Sequence, residues 1–318
     1  MRVLLILVFF ISLNGDILTM YREHGIKNIK KQLDLELSKP EYWSRYLKDK
    51  DTTFGYIESY TDILVCDKSK STLSLYTKNS KNKYSVQKTY SVFTGKIKGD
   101  KQTEGDLRTP IGIYNLTKKI SNVDSFYGPL AFVTSYPNMY DRYRGKNGSG
   151  IWIHGLPINQ DRDEFTKGCI AIDNTNIKCL DREINIDKTL LIINPTNNKN
   201  LIKKEKLVTI LSNLYEWRYA WLYNDLKNYL KFYASDFIRF DGMNLKQFER
   251  YKTRVFKKSD RKTIVFSDIN VIPYPNTKNI YQITFKEFYK SNTFVFRGNK
   301  TLMVRLQSNN MIEIFTEK

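Results

Sequence analysis

Ile151-Trp152-Ile153-His154-Gly155 and, after a short spacer, Thr166-Lys167-Gly168-Cys169-Ile170-Ala171 form the stretch on which the reading of this chain turns. Cys169 follows His154 by fifteen residues, and the window holds one of only two histidines and one of three cysteines in 318 residues. A cysteine reacts as a thiolate, and a nearby imidazole is the usual group that takes its proton. The glycine before Cys169 lets backbone N–H groups approach a reacting carbonyl, as an oxyanion site requires. A structural reading stands level with this one on spacing alone: Cys169 and His154 could each be small core residues beside apolar strands.

The flanking segments separate the two readings. Upstream lies Gly105-Asp106-Leu107-Arg108-Thr109-Pro110-Ile111-Gly112-Ile113-Tyr114, and Gly148-Ser149-Gly150 leads into the His154 strand. Together these motifs resemble the L,D-transpeptidase (YkuD-like) catalytic domain, with its Thr-Pro-x-Gly strand entry, its His-Gly and its Ser/Thr-His-Gly-Cys. Two positions depart from the commonest pattern. Lys167 stands where the family usually has histidine, and Ala171 where cross-linking members usually carry Arg or Asn. With the C-terminal pattern below, the whole chain resembles the peptidoglycan L,D-carboxypeptidases that set the shape of helical and curved Gram-negative cells.

The resemblance implies a function and its parts. Cys169 is the nucleophile and His154 the general acid/base, the Gly155 carbonyl orients the imidazole, and the Gly168 and Cys169 N–H groups hold the oxyanion. The reaction removes the terminal D-Ala from a tetrapeptide stem through a thioester, with neither metal nor organic cofactor. Lys167 could lower the thiolate energy, bind a stem carboxylate or simply point to solvent. Tyr140 and Arg142 are expected to line the substrate groove, on loop position alone. Two alternatives stay open: a cross-linking L,D-transpeptidase, and a non-catalytic wall-binding scaffold.

The fold class expected is α+β. Residues 55–195 carry runs of β-branched, aromatic and aliphatic residues at Ile63–Cys66, Thr72–Tyr76, Tyr84–Phe93, Gly112–Leu116, Leu130–Ser135 and Leu190–Ile193, which predict a mostly β sandwich or barrel. A short helix is expected from Asn174. Residues 16–54 read as helical, with Ile26, Ile29, Leu33 and Leu37 in one stripe and Ser38-Lys39-Pro40-Glu41 spaced as a capping box. This piece is too small for its own core and should pack on the catalytic domain or on a second subunit; the resemblance implies dimerisation. Pro195–Asn200 reads as a linker. Residues 201–318 begin with a helix carrying Leu207, Ile210, Leu211, Leu214, Trp217 and Trp221, followed by a meander with turns at Gly298-Asn299-Lys300 and Ser308-Asn309-Asn310. That order resembles an NTF2-like cone, and it offers a surface for cell-wall protein partners. No His or Cys lies beyond Cys179, which excludes His/Cys metal ligation there.

Residues 1–15 have the layout of a signal peptide: Arg2, then an apolar run from Val3 to Leu13, then Asn14-Gly15. A periplasmic protein is expected, with an uncleaved inner-membrane anchor left open. Three cysteines permit one disulfide, Cys66 with Cys179, but Cys66 sits in an apolar strand pattern and no pairing is predicted. The net charge of +19 comes from lysines spread along the chain, without a recognition-module pattern; it fits an anionic wall or membrane surface and a Lys- and Asn-rich coding bias equally well, and gives no support to nucleic acid.

Overall fold

The computed structural model describes residues 13–158, 163–196, 202–258 and 260–318. The expected signal peptide lies outside these residues except for its last three, and most of the expected linker lies outside them too. Among the described residues no helix is long and apolar enough to cross a membrane.

Eight strands close a barrel: β2 (Asp62–Asp67), β3 (Thr72–Lys78), β4 (Tyr84–Phe93), β5 (Gly112–Ile120), β6 (Ala131–Thr134), β7 (Trp152–His154), β8 (Ile170–Ile172) and β9 (Thr189–Asn194). Around the wall the order is β2-β3-β4-β8-β7-β6-β5-β9, with parallel pairing only between β2 and β9 and between β7 and β8. Alternation decides what fills it. Leu64, Cys66, Leu73, Leu75, Ile153, Ile170, Ile172, Leu191 and Ile193 point inward into one buried cluster. Each such aliphatic side chain contributes about 1.5–3 kcal/mol on burial. Helix α4 (Asn174–Glu183) closes the barrel with Ile177 and Leu180.

A second sheet orders β1 (Tyr56–Ile57), β10 (Thr263–Pro273), β11 (Ile280–Lys290), β12 (Val295–Leu306) and β13 (Ile312–Glu317), every neighbour antiparallel. Helices α5 (Lys204–Leu222), α6 (Leu226–Leu230) and α7 (Leu245–Lys257) pack on it, and the expected stripe from Leu207 to Trp221 is core. The concave side leaves an opening of about 590 Å³ whose lining includes Lys252, Glu287, Lys300 and Glu317. Burial pushes the Lys252 ammonium down to about 8.

Several expectations are corrected here. Gly298-Asn299-Lys300 is not a turn but the middle of β12, paired with Glu287, Lys286 and Phe285. Strand β11 is long enough to carry the ladder through, and a Cβ at Gly298 would collide with the Phe296 ring. The boundary at residue 55 falls inside the C-terminal unit, because Tyr56 and Ile57 pair with Val271 and Asn270. The N-terminal helices also belong there. In α1 (Leu13–Glu36), bent where Gly25 takes φ +70°, Asp34 pairs with Arg218 of α5 at 2.9 Å. In α2 (Pro40–Leu47), Trp43 and Leu47 join the C-terminal core. The capping box is absent: Lys39 is the N-cap without a side-chain bond, and the Ser38 hydroxyl donates backward to the Leu35 carbonyl. The α1 stripe is only partly covered, with Ile29 buried and Ile26 and Leu33 exposed.

Barrel and C-terminal sheet share a third cluster, in which Ile63, Ile113, Tyr140, Leu190 and Ile192 meet Ile57, Ile272, Tyr274 and Phe315. The Gly of the Thr-Pro-x-Gly entry, Gly112, leaves room there for the Tyr114 and Tyr274 hydroxyls. A chain ended at Pro195 would uncover this whole face. It is expected to self-associate, by light scattering, at concentrations where the full chain is monodisperse; a monodisperse truncated chain would show that the face tolerates water.

Candidate active site

Strands β7 and β8 run side by side, Ile153 opposite Ile170 and His154 opposite Ala171. Ile153, Ile170 and Ile172 fill the barrel, so by period-two alternation Trp152, His154, Ala171 and the preceding Cys169 turn to the other face. Strand spacing and rise put the Cα atoms of His154 and Cys169 roughly 8 Å apart. The two residues singled out in the sequence are thus brought together on one face, as nucleophile–base chemistry requires. Ala171, the departure from the cross-linking pattern, lies directly across from His154 and is fully buried.

His154 is buried, and its Nδ1 lies 2.7 Å from the Gly155 carbonyl oxygen. A carbonyl can only accept, so Nδ1 carries a proton, and in the neutral ring Nε2 presents a lone pair. The Gly155 role expected from the resemblance has its geometry here. Tyr127, at the end of a short 3-10 turn (Ser125–Tyr127), packs its ring on Trp152 and edge-on to His154, with centroids 5.1 and 5.0 Å away. Nothing in the sequence reading pointed to Tyr127, which lies in a loop between strand patterns.

Cys169 is half-buried; its Sγ lies 3.4 Å from the Gly150 carbonyl and 3.5 Å from the Trp152 N–H, which donates to it. Such a donor binds a thiolate more strongly than a thiol. The turn before Cys169 is held by Thr166, whose hydroxyl donates to the Cys169 carbonyl at 2.7 Å and accepts from the Gly168 N–H at 3.0 Å. This corrects the role expected of Gly168. Its N–H is committed to Thr166, and the glycine is needed for conformation: φ is +134°, and a Cβ would sit 2.9 Å from the Arg108 carbonyl. The sequence pattern assigns Thr166 no role, although a hydroxyl two residues before a tight glycine is a signal for one.

Two loops buttress this turn. The Thr166 N–H donates to the Thr94 carbonyl at 2.8 Å, and Glu104 and Asn147 join the 94–109 and 144–150 segments. Within the first, burial pushes the Asp106 carboxyl up, but hydrogen bonds from Lys101 and from the Gln102, Arg108 and Thr103 N–H groups outweigh it and hold it well below the usual range. Lys167 is exposed beside the site. Tyr140 corrects its expectation. It lies on α3 (Met139–Tyr143) with its ring buried against Tyr274 and Phe315, in the interface between the two sheets and not in a groove. Arg142, on the same helix, is exposed.

Cys66 is buried in β2, and burial pushes its thiol up to about 12. Cys179 is half-buried in α4, and all three cysteines are free thiols, so the Cys66–Cys179 pairing does not form. No group of three or more His, Cys, Asp or Glu that could hold a metal ion occurs among the described residues.

Residues 61–193 match the family described as the L,D-transpeptidase catalytic domain (YkuD), and residues 209–318 match the Cds6 C-terminal NTF2-like domain. The chain belongs to the L,D-transpeptidase family, in the form that carries an NTF2-like domain at its C-terminal end. Over nearly its whole length it is similar to the helical cell shape determining protein Pgp2 of Campylobacter jejuni. Identity is 36%, covering 89% of this chain and 99% of that one, with a TM-score of 0.82 for a crystal structure of a point mutant. The TM-score is 0.80 for another Pgp2 structure, also at 36% identity, covering 88% of this chain and 99% of that one. Bd1075 of Bdellovibrio bacteriovorus is similar at 27% identity and a TM-score of 0.64, over 81% of this chain and 92% of that one. YafK of Escherichia coli K12, whose name assigns it to the L,D-transpeptidases, is 33% identical over 112 residues, which are 35% of this chain. The chain spans 42% of the length of the curated relatives it matches.

Proposed function

We propose that the protein is an exported, periplasmic peptidoglycan L,D-carboxypeptidase that trims tetrapeptide stems to tripeptides and so contributes to cell shape. The observation that carries the reading is His154, held with Nδ1 on the Gly155 carbonyl, on the same face as Cys169. Cys169 Sγ attacks the carbonyl that joins the L-centre of the third stem residue to D-Ala. His154 Nε2 takes the thiol proton, then gives it to the departing amine as the C–N bond breaks. Water, deprotonated by the same nitrogen, adds to the thioester carbonyl, the C–S bond breaks, and the tripeptide carboxylate leaves. The Cys169 N–H is the proposed oxyanion donor, worth on the order of 3 kcal/mol. The exposed ammonium of Lys167 suits a stem carboxylate.

Water is favoured over an acceptor amine because Ala171 lacks the Arg or Asn side chain of the cross-linking pattern. The partly uncovered α1 stripe supports a homodimer, and the concave opening of the C-terminal unit supports a role in placing substrate or wall proteins. Incubation with disaccharide-tetrapeptides, read by mass, should yield disaccharide-tripeptide and free D-Ala. His154→Ala should lower the rate at least ~100-fold, the usual cost of a lost general base. Directly 3→3 linked dimers as the main product would make the protein a transpeptidase, and no turnover at all would make it a scaffold.

A further inference from the structure

Beyond Cys169 and His154, one side chain engages the peptide that carries the imidazole's partner. Asn174 opens α4 immediately after β8, behind the N-cap Asp173. Its carboxamide makes two hydrogen bonds to one residue: Oδ1 accepts from the Leu156 N–H at 2.8 Å, and Nδ2 donates to the Leu156 carbonyl at 3.0 Å. The Leu156 N–H and the Gly155 C=O belong to the same peptide unit. A trans peptide points those two groups in opposite directions in one plane. Fixing the N–H on Asn174 therefore aims the Gly155 oxygen the other way, where His154 Nδ1 meets it at 2.7 Å.

The surroundings are built for this contact. A Cβ on Gly155 would strike Asn174 Oδ1 and the Pro129 ring, and one on Gly128 would lie 2.5 Å from the same oxygen. Both glycines are thus needed bare so that the carboxamide can reach the backbone. The amide has no freedom to flip, since an N–H can face only its oxygen and a carbonyl only its nitrogen.

We propose that Asn174 is the positioning residue that sets the tautomer of His154, acting through the Gly155–Leu156 peptide. Asn174 does for the imidazole what a buried carboxylate does in other nucleophile–base systems, but one peptide bond removed and without charge. The proposal rests on His154 being the general base, and its test includes an arm that does not. The chain has two histidines, so His24→Gln leaves a single imidazole whose ring nitrogens can be read by ¹⁵N NMR. In that background His154 should be the Nδ1–H form when neutral. Asn174→Ala should convert it to a tautomer mixture and lower kcat about 100-fold with KM within about twofold, as loss of a correctly presented base does. Asn174→Asp keeps the acceptor for the Leu156 N–H but sets its second oxygen against the Leu156 carbonyl, so it should keep the Nδ1–H form with a rate between those of wild type and Asn174→Ala. Asn174→Ser, too short to reach Leu156, makes the alanine prediction again should Asn174→Ala not fold. An unchanged Nδ1–H proportion in folded Asn174→Ala or Asn174→Ser overturns the proposal. A wild-type chain that releases no D-Ala would instead overturn the carboxypeptidase reading, while the NMR arm still decides the role of Asn174.

Discussion

Cys169→Ala should abolish release of D-Ala from tetrapeptide stems while leaving the melting temperature and circular dichroism of the protein unchanged. Alanine removes only a half-buried sulfur, which lies against the Gly150 carbonyl and the Trp152 N–H among its contacts, so little packing is lost. Without the thiolate no thioester forms. The two other cysteines are the controls. Cys179→Ala should be silent, and Cys66→Ala should cost on the order of 1 kcal/mol of stability, from a cavity in the barrel core, with activity retained. Trimming at a normal rate by Cys169→Ala would overturn the mechanism.

Asp141→Ala should be the most destabilising single change outside the apolar cores. This carboxylate has no exposed surface, yet it accepts from the Tyr114 hydroxyl at 3.0 Å, the Asn138 N–H at 3.1 Å and Arg144 at 2.9 Å. It also faces the Lys146 ammonium at 3.1 Å, on a side chain that is itself 1% exposed. Alanine would leave Lys146 and Arg144 with Asp100 as their only acidic partner among the described residues. Breaking a buried pair from one side costs about 3–5 kcal/mol, because the surviving charge stays desolvated. The expected fall in melting temperature is roughly 5–7 °C for a chain of 318 residues. A fall of under about 2 °C would show that water reaches Lys146 and replaces the carboxylate.

Strand positions are legible because runs of β-branched, aromatic and aliphatic residues are bounded by turn residues; the run Tyr84–Phe93 coincides with β4 to the residue. The site was legible for a related reason. Cys169 and His154 owe their meeting to neighbouring strands, and a His-Gly strand followed by a Gly-Cys strand carries that adjacency in its spacing. What stayed hidden depends on long-range partners. Tyr140 looked like a groove residue until Tyr274 and Phe315, more than a hundred positions later, covered it. Gly168 looked like a donor until the Thr166 hydroxyl engaged its N–H. Asn174 was read only as the start of a helix, since nothing local says that its carboxamide reaches back to Leu156. Helix α7 carries an Asn244/Gln247 capping box that was there to be found, but its Lys- and Arg-rich sequence masks the buried stripe, in which Lys252 lies between Phe248 and Phe256.

The pairing of β1 with β10 also bears on the order in which the chain assembles. Ser59 and Asn270 are hydrogen-bonded although 211 residues apart, and the Trp43 and Tyr215 rings pack at a tilt with centroids 5.2 Å apart. The barrel is therefore an insertion between two pieces of one unit. During synthesis α1, α2 and β1 emerge first and wait, without a core of their own, until the last strands exist. A barrel that closes in the meantime brings its two ends within one strand length, since β2 and β9 are parallel neighbours. Closing the remaining gap then resembles closing a loop of a few residues. Loop entropy grows by about 0.6 kcal/mol per doubling, so the folded insert removes a few kcal/mol from the cost of uniting the two halves. The barrel that carries the chemistry thus also serves as the splint on which the other unit is completed.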